Sequence, residues 1–321
     1  MTHITPDTTN RDIMIAIAQY EITTTSNKKV SIVNIETGET VSKWWASVQL
    51  GASEYYIASN HNGQHAIFHI NNPDKPISKW WKTVIADGLL DGHSEYYMVQ
   101  FQKKYAIFHI DNPDQPIIQW LDYIYKIGLV AKETEYYIAI NQQGNEAIFH
   151  KDNPNEPISQ WWSGIYNNGL VQGQSDYYIV RNHNSEEAIF HKDNPYEPIT
   201  RWWKGISELG FVTGTSQYYK VINHNDQQAI FHINDPNNPV SQWWVTLYAD
   251  SFIEGKSNYY IARNHYDLEA IFHINNPSEP ISEWWLNIDK SGLAQGQSDY
   301  YLARQPNKKY AIFHIQNPKE A

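Results

Sequence analysis

The chain has 321 residues, of which 41% are hydrophobic and 14% aromatic, with 13 Trp and 23 Tyr. This apolar content is enough for a sizeable core and excludes an intrinsically disordered chain. The net charge of -11 argues against nucleic acid as a partner and against binding to an anionic membrane surface.

Cysteine is absent, which excludes a disulfide framework, a thiol nucleophile and a Cys-ligated zinc site. The N-terminus lacks the basic region and sustained apolar stretch of a signal peptide. No run approaches the roughly eighteen apolar residues of a transmembrane helix. We therefore expect a soluble protein without membrane insertion, cytoplasmic by default, with export by a signal-independent route left open.

The first predicted elements are a tail over residues 1–11 and a degenerate hairpin over about residues 12–35. Segment 28–35 aligns with segment 103–110 but lacks its His and the Asn-Pro turn that follows. A degenerate terminal repeat is typical of an exposed cap. Residues 12–321 as a whole are predicted to form a single repeat-array domain.

Three motifs then recur in phase along the chain. The tetrapeptide Ala-Ile-Phe-His (AIFH) occurs seven times, with a first step of 40 residues and five steps of 41. A Tyr-Tyr pair precedes each copy, and all 13 Trp fall in one slot of the repeat, ahead of the Tyr pair. The AIFH copies begin at Ala66, Ala106, Ala147, Ala188, Ala229, Ala270 and Ala311.

The Trp slot predicts a short helix in each unit. Ile158, Trp161, Trp162 and Ile165 stand at i, i+3, i+4 and i+7, the spacing of one helical stripe. The Tyr pair and the AIFH motif, in contrast, are rich in strand-forming residues and flank a polar turn, which predicts a β-hairpin.

The predicted fold class is an α+β repeat protein of tandem units of about 41 residues, each a β-hairpin followed by a helix (ββα). The chain would contain eight hairpins and seven short helices. A lone hairpin is marginal in water, so neighbouring units are expected to bury each other's faces. Because there is one helix fewer than hairpins, an open curved solenoid is favoured over a closed propeller-like ring.

The first Trp of each slot has two interpretations: packing between units, or a partly open platform on which a ligand stacks. The second Trp is replaced by Leu121 in one unit, which marks that position as core. The first-Trp candidates are Trp44, Trp80, Trp120, Trp161, Trp202, Trp243 and Trp284.

The first Tyr of each pair is the second candidate set. Consecutive strand residues point to opposite faces, and the face of the second Tyr, shared with a small residue, is expected to be the more buried. The first Tyr shares its face with a position that tolerates Lys220, although inter-unit packing remains the alternative. The candidates are Tyr55, Tyr96, Tyr136, Tyr177, Tyr218, Tyr259 and Tyr300.

Histidine occurs in two places. The AIFH histidines are predicted to be structural, each donating to a backbone carbonyl of the following Asn-Pro turn. Adjacent units offer no companion carboxylate or Cys in step with them, so we predict neither a metal site nor a cofactor. The turn histidines His61, His183, His224 and His265 are candidates for ligand contact, with a solvated turn as the alternative.

No catalytic motif stands out, and a single active constellation is hard to build from polar residues that recur in every unit. The sequence therefore favours a non-enzymatic, multivalent, lectin-like protein whose repeated aromatic, Asn and His sites bind a carbohydrate or glycoprotein. The alternative is a protein–protein interaction scaffold with an extended aromatic surface. A toxin-accessory or structural role is less favoured.

Overall fold

The computed structural model describes residues 19–131, 134–166, 169–305 and 309–318. The predicted tail over residues 1–11 lies outside these ranges, as does the start of the predicted first hairpin. The chain divides into two compact units, residues 1–159 and 160–321. In the described part of the chain, the strands form eight small antiparallel sheets of two to four strands.

The first unit contains four of these sheets. A two-stranded sheet is followed by three three-stranded sheets, in each of which the Tyr strand is central and the AIFH strand lies beside it. The strands are β1 Tyr20–Thr24, β2 Val30–Asn34, β3 Ser47–Leu50, β4 Tyr55–Ser59, β5 His65–His69, β6 Thr83–Ile85, β7 Tyr96–Phe101, β8 Lys104–His109, β9 Tyr123–Ile124, β10 Tyr136–Ile140 and β11 Glu146–His150.

The second unit repeats the same arrangement, with one additional short strand in its second sheet. Its strands are β12 Gly164–Tyr166, β13 Tyr177–Arg181, β14 Glu187–His191, β15 Gly205–Leu209, β16 Tyr218–Ile222, β17 Gln228–His232, β18 Asp235–Pro239, β19 Thr246–Tyr248, β20 Tyr259–Arg263, β21 Glu269–His273, β22 Asn287–Ile288, β23 Tyr300–Arg304 and β24 Tyr310–His314.

The eight predicted hairpins are confirmed. In each of the seven regular ones the first Tyr pairs with the AIFH histidine, as Tyr55 does with His69. The Asn60 side chain accepts backbone N–H groups of Asn62 and Gln64 across the turn, and Gly63 adopts a φ of 69° there. Asn at the first turn position thus closes the hairpin locally.

The predicted helices in the Trp slot are wrong. The segment instead runs extended along the open edge of the AIFH strand: Ile77 N–H donates to the Ile67 carbonyl at 2.8 Å, and Trp81 and His65 exchange two backbone hydrogen bonds. The buried Ser78 hydroxyl accepts the Ile67 N–H at 2.9 Å. The α+β class, with seven helices in a solenoid of ββα units, is therefore wrong, and the described residues are predominantly β.

The error has a physical cause. Residues four apart, such as Ile77 and Trp81, share a face in a strand as well as in a helix, so the spacing did not discriminate. The unpaired edge of β5 offers backbone partners along the whole segment, which a helix would leave unsatisfied.

The helical residues lie elsewhere, mostly just before the Tyr pairs, and form single turns. The described residues contain α-helical turns at Asp87–Leu90, Gly210–Thr213 and Asp250–Ile253, and 3₁₀ turns at Gly128–Val130 and Gly292–Gln295.

Successive sheets pack face to face within each unit. Ile57 and Ile67, on one face of the β3–β5 sheet, contact the buried face of the next sheet, which carries Tyr97 and Phe108. In the second unit, Ile179 and Ile189 pack in the same way against Tyr219 and Phe231. Neighbouring repeats bury each other's apolar faces, as the marginal stability of a lone hairpin predicts.

Candidate binding clefts between successive sheets

The first Tyr of each pair lies half-buried at the start of the central strand in six sheets and is exposed at Tyr300. Its ring meets the paired AIFH histidine nearly edge to face; Tyr55 and His69 have centroids 5.2 Å apart at an interplanar angle of 87°. The same pair forms in all seven regular hairpins. Tyr and His therefore make a repeated unit at one end of each sheet.

An acidic or amide residue completes this unit. His69 Nε2 lies 3.0 Å from a carboxylate oxygen of Glu54, the residue immediately before Tyr55. His109 and His150 face Glu95 and Glu135 in the same way, each at 3.2 Å. The expectation that no carboxylate recurs in step with the histidines is therefore wrong; Ser or Thr, then Glu, Asp, Gln or Asn, then Tyr-Tyr occurs in each of the seven regular repeats.

The hydrogen bonds of the AIFH histidines correct a second expectation. His69 Nδ1 accepts the backbone N–H of Asn71 at 3.1 Å, where donation to a carbonyl was predicted. The ring is half-buried, and its accepting Nδ1 assigns the proton to Nε2, which faces Glu54. His69, His109 and His150 thus each link the strand end, the turn and a carboxylate.

The serine of the same motif joins consecutive sheets. Ser94 Oγ donates to the Leu129 carbonyl at 2.7 Å and accepts the Tyr96 N–H at 3.1 Å. Ser257 repeats the contact with the Leu293 carbonyl at 3.1 Å. Ser94 and Ser257 thereby fix the loops in front of their Tyr pairs against the next repeat.

A cleft in the described part of the first unit lies beside these loops. Its volume is about 620 Å³, and its wall includes two first-Tyr residues, Tyr55 and Tyr96. Glu95, Asp111, Glu135 and Lys151 supply the charged part of the lining. The apolar side chains of Leu89, Leu129 and Ile110 also line the cleft.

Two further clefts are built from equivalent residues. One of about 190 Å³ is lined by Glu54, Tyr55 and Asn71. One of about 430 Å³, within the second unit, is lined by Asn258, Tyr259 and Asp299. A first Tyr and the acidic or amide residue before it therefore recur in the wall of three separate clefts.

The electrostatics of the large cleft are dominated by carboxylates. Burial, followed by the negative charges of Asp111, Glu54 and Glu95, raises the pKa of Tyr55. Hydrogen bonds from His150 and then Lys151 lower the pKa of Glu135. The hydrogen bond to Asp152 in turn raises the pKa of Lys151.

Three potential metal ligands cluster at the edge of this cleft: Glu135, His150 and Asp152 lie within 4.8 Å of one another. The Lys151 ammonium already pairs with both carboxylates, at 3.4 Å and 3.1 Å. His150 Nδ1 also accepts the Asp152 N–H at 3.2 Å. The three groups therefore belong to an ion-pair network in which the Lys151 ammonium contacts both carboxylates.

The first-Trp residues lie in aromatic clusters away from this constellation. Trp80 is half-buried, with its ring centroid 5.8 Å from Trp45 and 5.9 Å from Phe68. Trp202, Trp243 and Trp284 repeat these contacts with the preceding second Trp and Phe. Trp44 is 41% exposed, whereas the other six first-Trp residues are half-buried.

The turn histidines are exposed and lie at the opposite end of each hairpin from the first Tyr. A five-residue strand separates the two sets by roughly 15 Å. His224 contacts Glu186 across neighbouring turns at 3.4 Å. The structure therefore does not bring the Tyr, Trp and turn-His candidates into a single site.

The second Tyr of each pair is buried in all seven regular sheets, as predicted. Burial is the main cause of the raised pKa of each of these phenols. The smallest rise is at Tyr301, whose pKa is about 12. These residues belong to the core.

No protein-family model and no curated protein matches the chain. Among solved structures, an alignment with a eukaryotic initiation factor covers 94% of this chain and 84% of that chain, at 11% identity and a TM-score of 0.36. The computationally designed Ika8 protein is 6% identical, with 92% of this chain and 93% of that chain covered, at a TM-score of 0.31. Kluyvelomyces marxianus Hsv2 is 10% identical, with 93% of this chain and 97% of that chain covered, at a TM-score of 0.30. Scores this low establish neither a shared fold nor a function. No helix among the described residues is long and apolar enough to span a membrane.

Proposed function

We propose that the protein is a non-enzymatic, multivalent, lectin-like protein that binds carbohydrate in the clefts beside its first-Tyr residues. The observation that carries the proposal is the recurrence of one set of groups, a Tyr ring next to a carboxylate or amide, in three clefts. Aromatic rings offer apolar faces to sugar C–H groups, while carboxylate and amide oxygens accept hydrogen bonds from hydroxyls.

Multivalency follows from the repetition. Each cleft is open and presents only a few polar groups, so a single sugar is expected to bind weakly at any one of them. Several such sites on one chain raise the effective affinity for a polyvalent glycan by avidity.

A protein-binding scaffold is the second candidate, and an aromatic patch at one hairpin turn favours it. Phe101 stands where most turns carry Asn, is 51% exposed, and lies 6.1 Å from Trp81 and 6.0 Å from Trp120. Aromatic side chains of this kind are common anchors of protein interfaces.

A glycan array separates the two candidates. Carbohydrate binding predicts a signal for several glycans that share a terminal sugar, together with agglutination of cells carrying them. Silence across the array, combined with a single protein partner whose capture is lost in a Phe101→Ala variant, would replace the first candidate with the second.

A further inference from the structure

The backbone pairs two positions in every regular repeat. The residue after the AIFH motif donates its N–H to the carbonyl of the residue that precedes the Tyr pair; the Ile110–Glu95 and Lys151–Glu135 bonds measure 3.0 Å and 2.9 Å. The seven bonds span 2.8 to 3.2 Å, so the two side chains start from the same relative position in each repeat. The repeats can therefore be compared position by position.

The chemistry of this position pair follows a pattern. Where the residue after AIFH is Lys, the residue before the Tyr pair is acidic: Lys151 pairs with Glu135 at 3.4 Å, and Lys192 with Asp176 at 2.8 Å. Where the residue before the Tyr pair is an amide, Gln217 or Asn258, the residue after AIFH is Ile. Glu54 with Ile70, Glu95 with Ile110 and Asp299 with Ile315 combine a carboxylate with an apolar neighbour.

Glu54 and Glu95 are thus carboxylates without the ammonium that their sibling repeats supply. Glu95 contacts His109 through one oxygen, and its side chain is 74% exposed. Within the described ranges, no Lys or Arg forms an ion pair with either glutamate. Glu95 lines the cleft of about 620 Å³ and Glu54 the cleft of about 190 Å³, each next to a first-Tyr ring.

We propose that these two clefts bind a primary ammonium carried by the ligand, which makes amino sugars with a free amine the preferred carbohydrate class. The ammonium would occupy, beside Glu95 and Glu54, the place that the Lys151 ammonium takes beside Glu135. The inference rests on the proposed carbohydrate-binding function. Charge-assisted hydrogen bonds are roughly twice as strong as neutral ones, so the charge decides selectivity.

Titration calorimetry of the full chain tests the preference with three probes: a glucosamine tetramer at a pH where its amines are protonated, the fully N-acetylated tetramer, and a glucose tetramer. We expect the free amine to bind roughly tenfold more tightly than the other two, with the difference reduced by salt. Equal binding of all three would overturn the inference and leave the proposed function intact. Binding of none would overturn both.

Variants locate the sites. Glu95→Gln and Glu54→Gln place at these positions the amide that Gln217 carries naturally, and each should remove the amine preference of one cleft. Asp176→Asn, which resembles natural Asn258, is the matched control and should leave binding unchanged because Lys192 already serves that carboxylate.

Substitutions of the residue after AIFH should have opposite outcomes in two repeats. In Ile110→Lys the new ammonium should pair with Glu95 and abolish one amine site, whereas Lys151→Ile should free Glu135 and add one. Loss of binding in Ile110→Lys with no gain in Lys151→Ile would contradict the assignment.

Discussion

The Oε2 atom of Glu187 accepts the backbone N–H of Ile206 at 2.8 Å, which ties the strand β14 to the first strand of the next sheet. Arg181 binds the other carboxylate oxygen at 2.6 Å. Glu269 makes the same contact with Ile288 at 2.7 Å, and Gln228 with Leu247 at 2.8 Å. The residue before the AIFH motif is thus a side-chain link between consecutive sheets.

Glu269 is the most buried of these links, at 0% exposure, and it pairs with both Arg263 and Lys290. Glu269→Ala should lower the free energy of unfolding by roughly 3–5 kcal/mol, because it leaves partly buried cations and an N–H without their acceptor. Urea unfolding measures the change. Glu269→Gln is the control, since Gln228 shows that an amide keeps the N–H bond, and it should cost less. Equal losses in both variants would contradict the contribution of the Ile288 N–H bond, and an unchanged stability in Glu269→Gln would contradict the ionic contribution.

The same residue predicts a pH dependence. Burial opposes ionisation of Glu269, but hydrogen bonds from Lys290, Ile288 and Arg263 outweigh it and lower its pKa below the ordinary value of 4.5. Its stabilising contribution is therefore present above pH 4.5 and is lost as the pH falls through the lowered pKa. The stability difference between wild type and Glu269→Gln should shrink as the solution is acidified below pH 4.5. A constant difference would contradict the linkage.

Lys220 stands on β16 where most sibling repeats carry Ile, and its side chain is 9% exposed. Burial lowers its pKa, an effect that nearby Asp250 partly offsets. Removing this ammonium with Lys220→Ile should stabilise the fold by about 1 kcal/mol or more, because a buried charge is costly to desolvate. Wild-type stability should also rise with pH towards 10.5, and the variant should lack that part of the rise. A destabilised variant would show that the contacts of Lys220 outweigh its desolvation.

Ser94 tests the contact between loops. Ser94→Ala removes the donor to Leu129 and the acceptor for Tyr96, and should cost about 1–2 kcal/mol in thermal or urea unfolding. Ser298→Ala is the matched control, because Ser298 is exposed and, among the described residues, its hydroxyl hydrogen-bonds only with Tyr300. A Ser298→Ala loss as large as that of Ser94→Ala would contradict the inter-sheet role.

The first-Trp residues are predicted to act in packing. Trp243→Ala removes contacts with Trp203 and Phe231 and should destabilise the second unit by roughly 3–5 kcal/mol. Trp44→Ala, at a 41% exposed position, should cost much less. Glycan binding by the folded Trp44→Ala variant should match wild type. A selective loss of binding there would restore Trp44 as a ligand platform.

The sequence specifies the hairpins well because each depends on local features: a Tyr pair, an Asn-containing turn and AIFH. The Trp segment was misassigned because its extended form depends on the edge of β5, a partner that a helical-spacing argument does not consider. Ser94, Glu95 and Glu187 were missed for a related reason. Each of them contacts the next repeat or a paired strand, and such contacts do not follow from local sequence. Their periodicity is visible in the sequence, but periodicity alone does not name their partners.

The number of ligands bound per chain tests the central claim most directly. Titration calorimetry with a short monovalent oligosaccharide that gives a signal on the glycan array should show more than one equivalent site per chain. With a glucosamine tetramer as the ligand, the number of tighter, amine-selective sites should fall by one when Glu95 is replaced by Gln. A stoichiometry of one that is unchanged by Glu95→Gln and by Glu54→Gln would contradict repeated clefts as the binding sites.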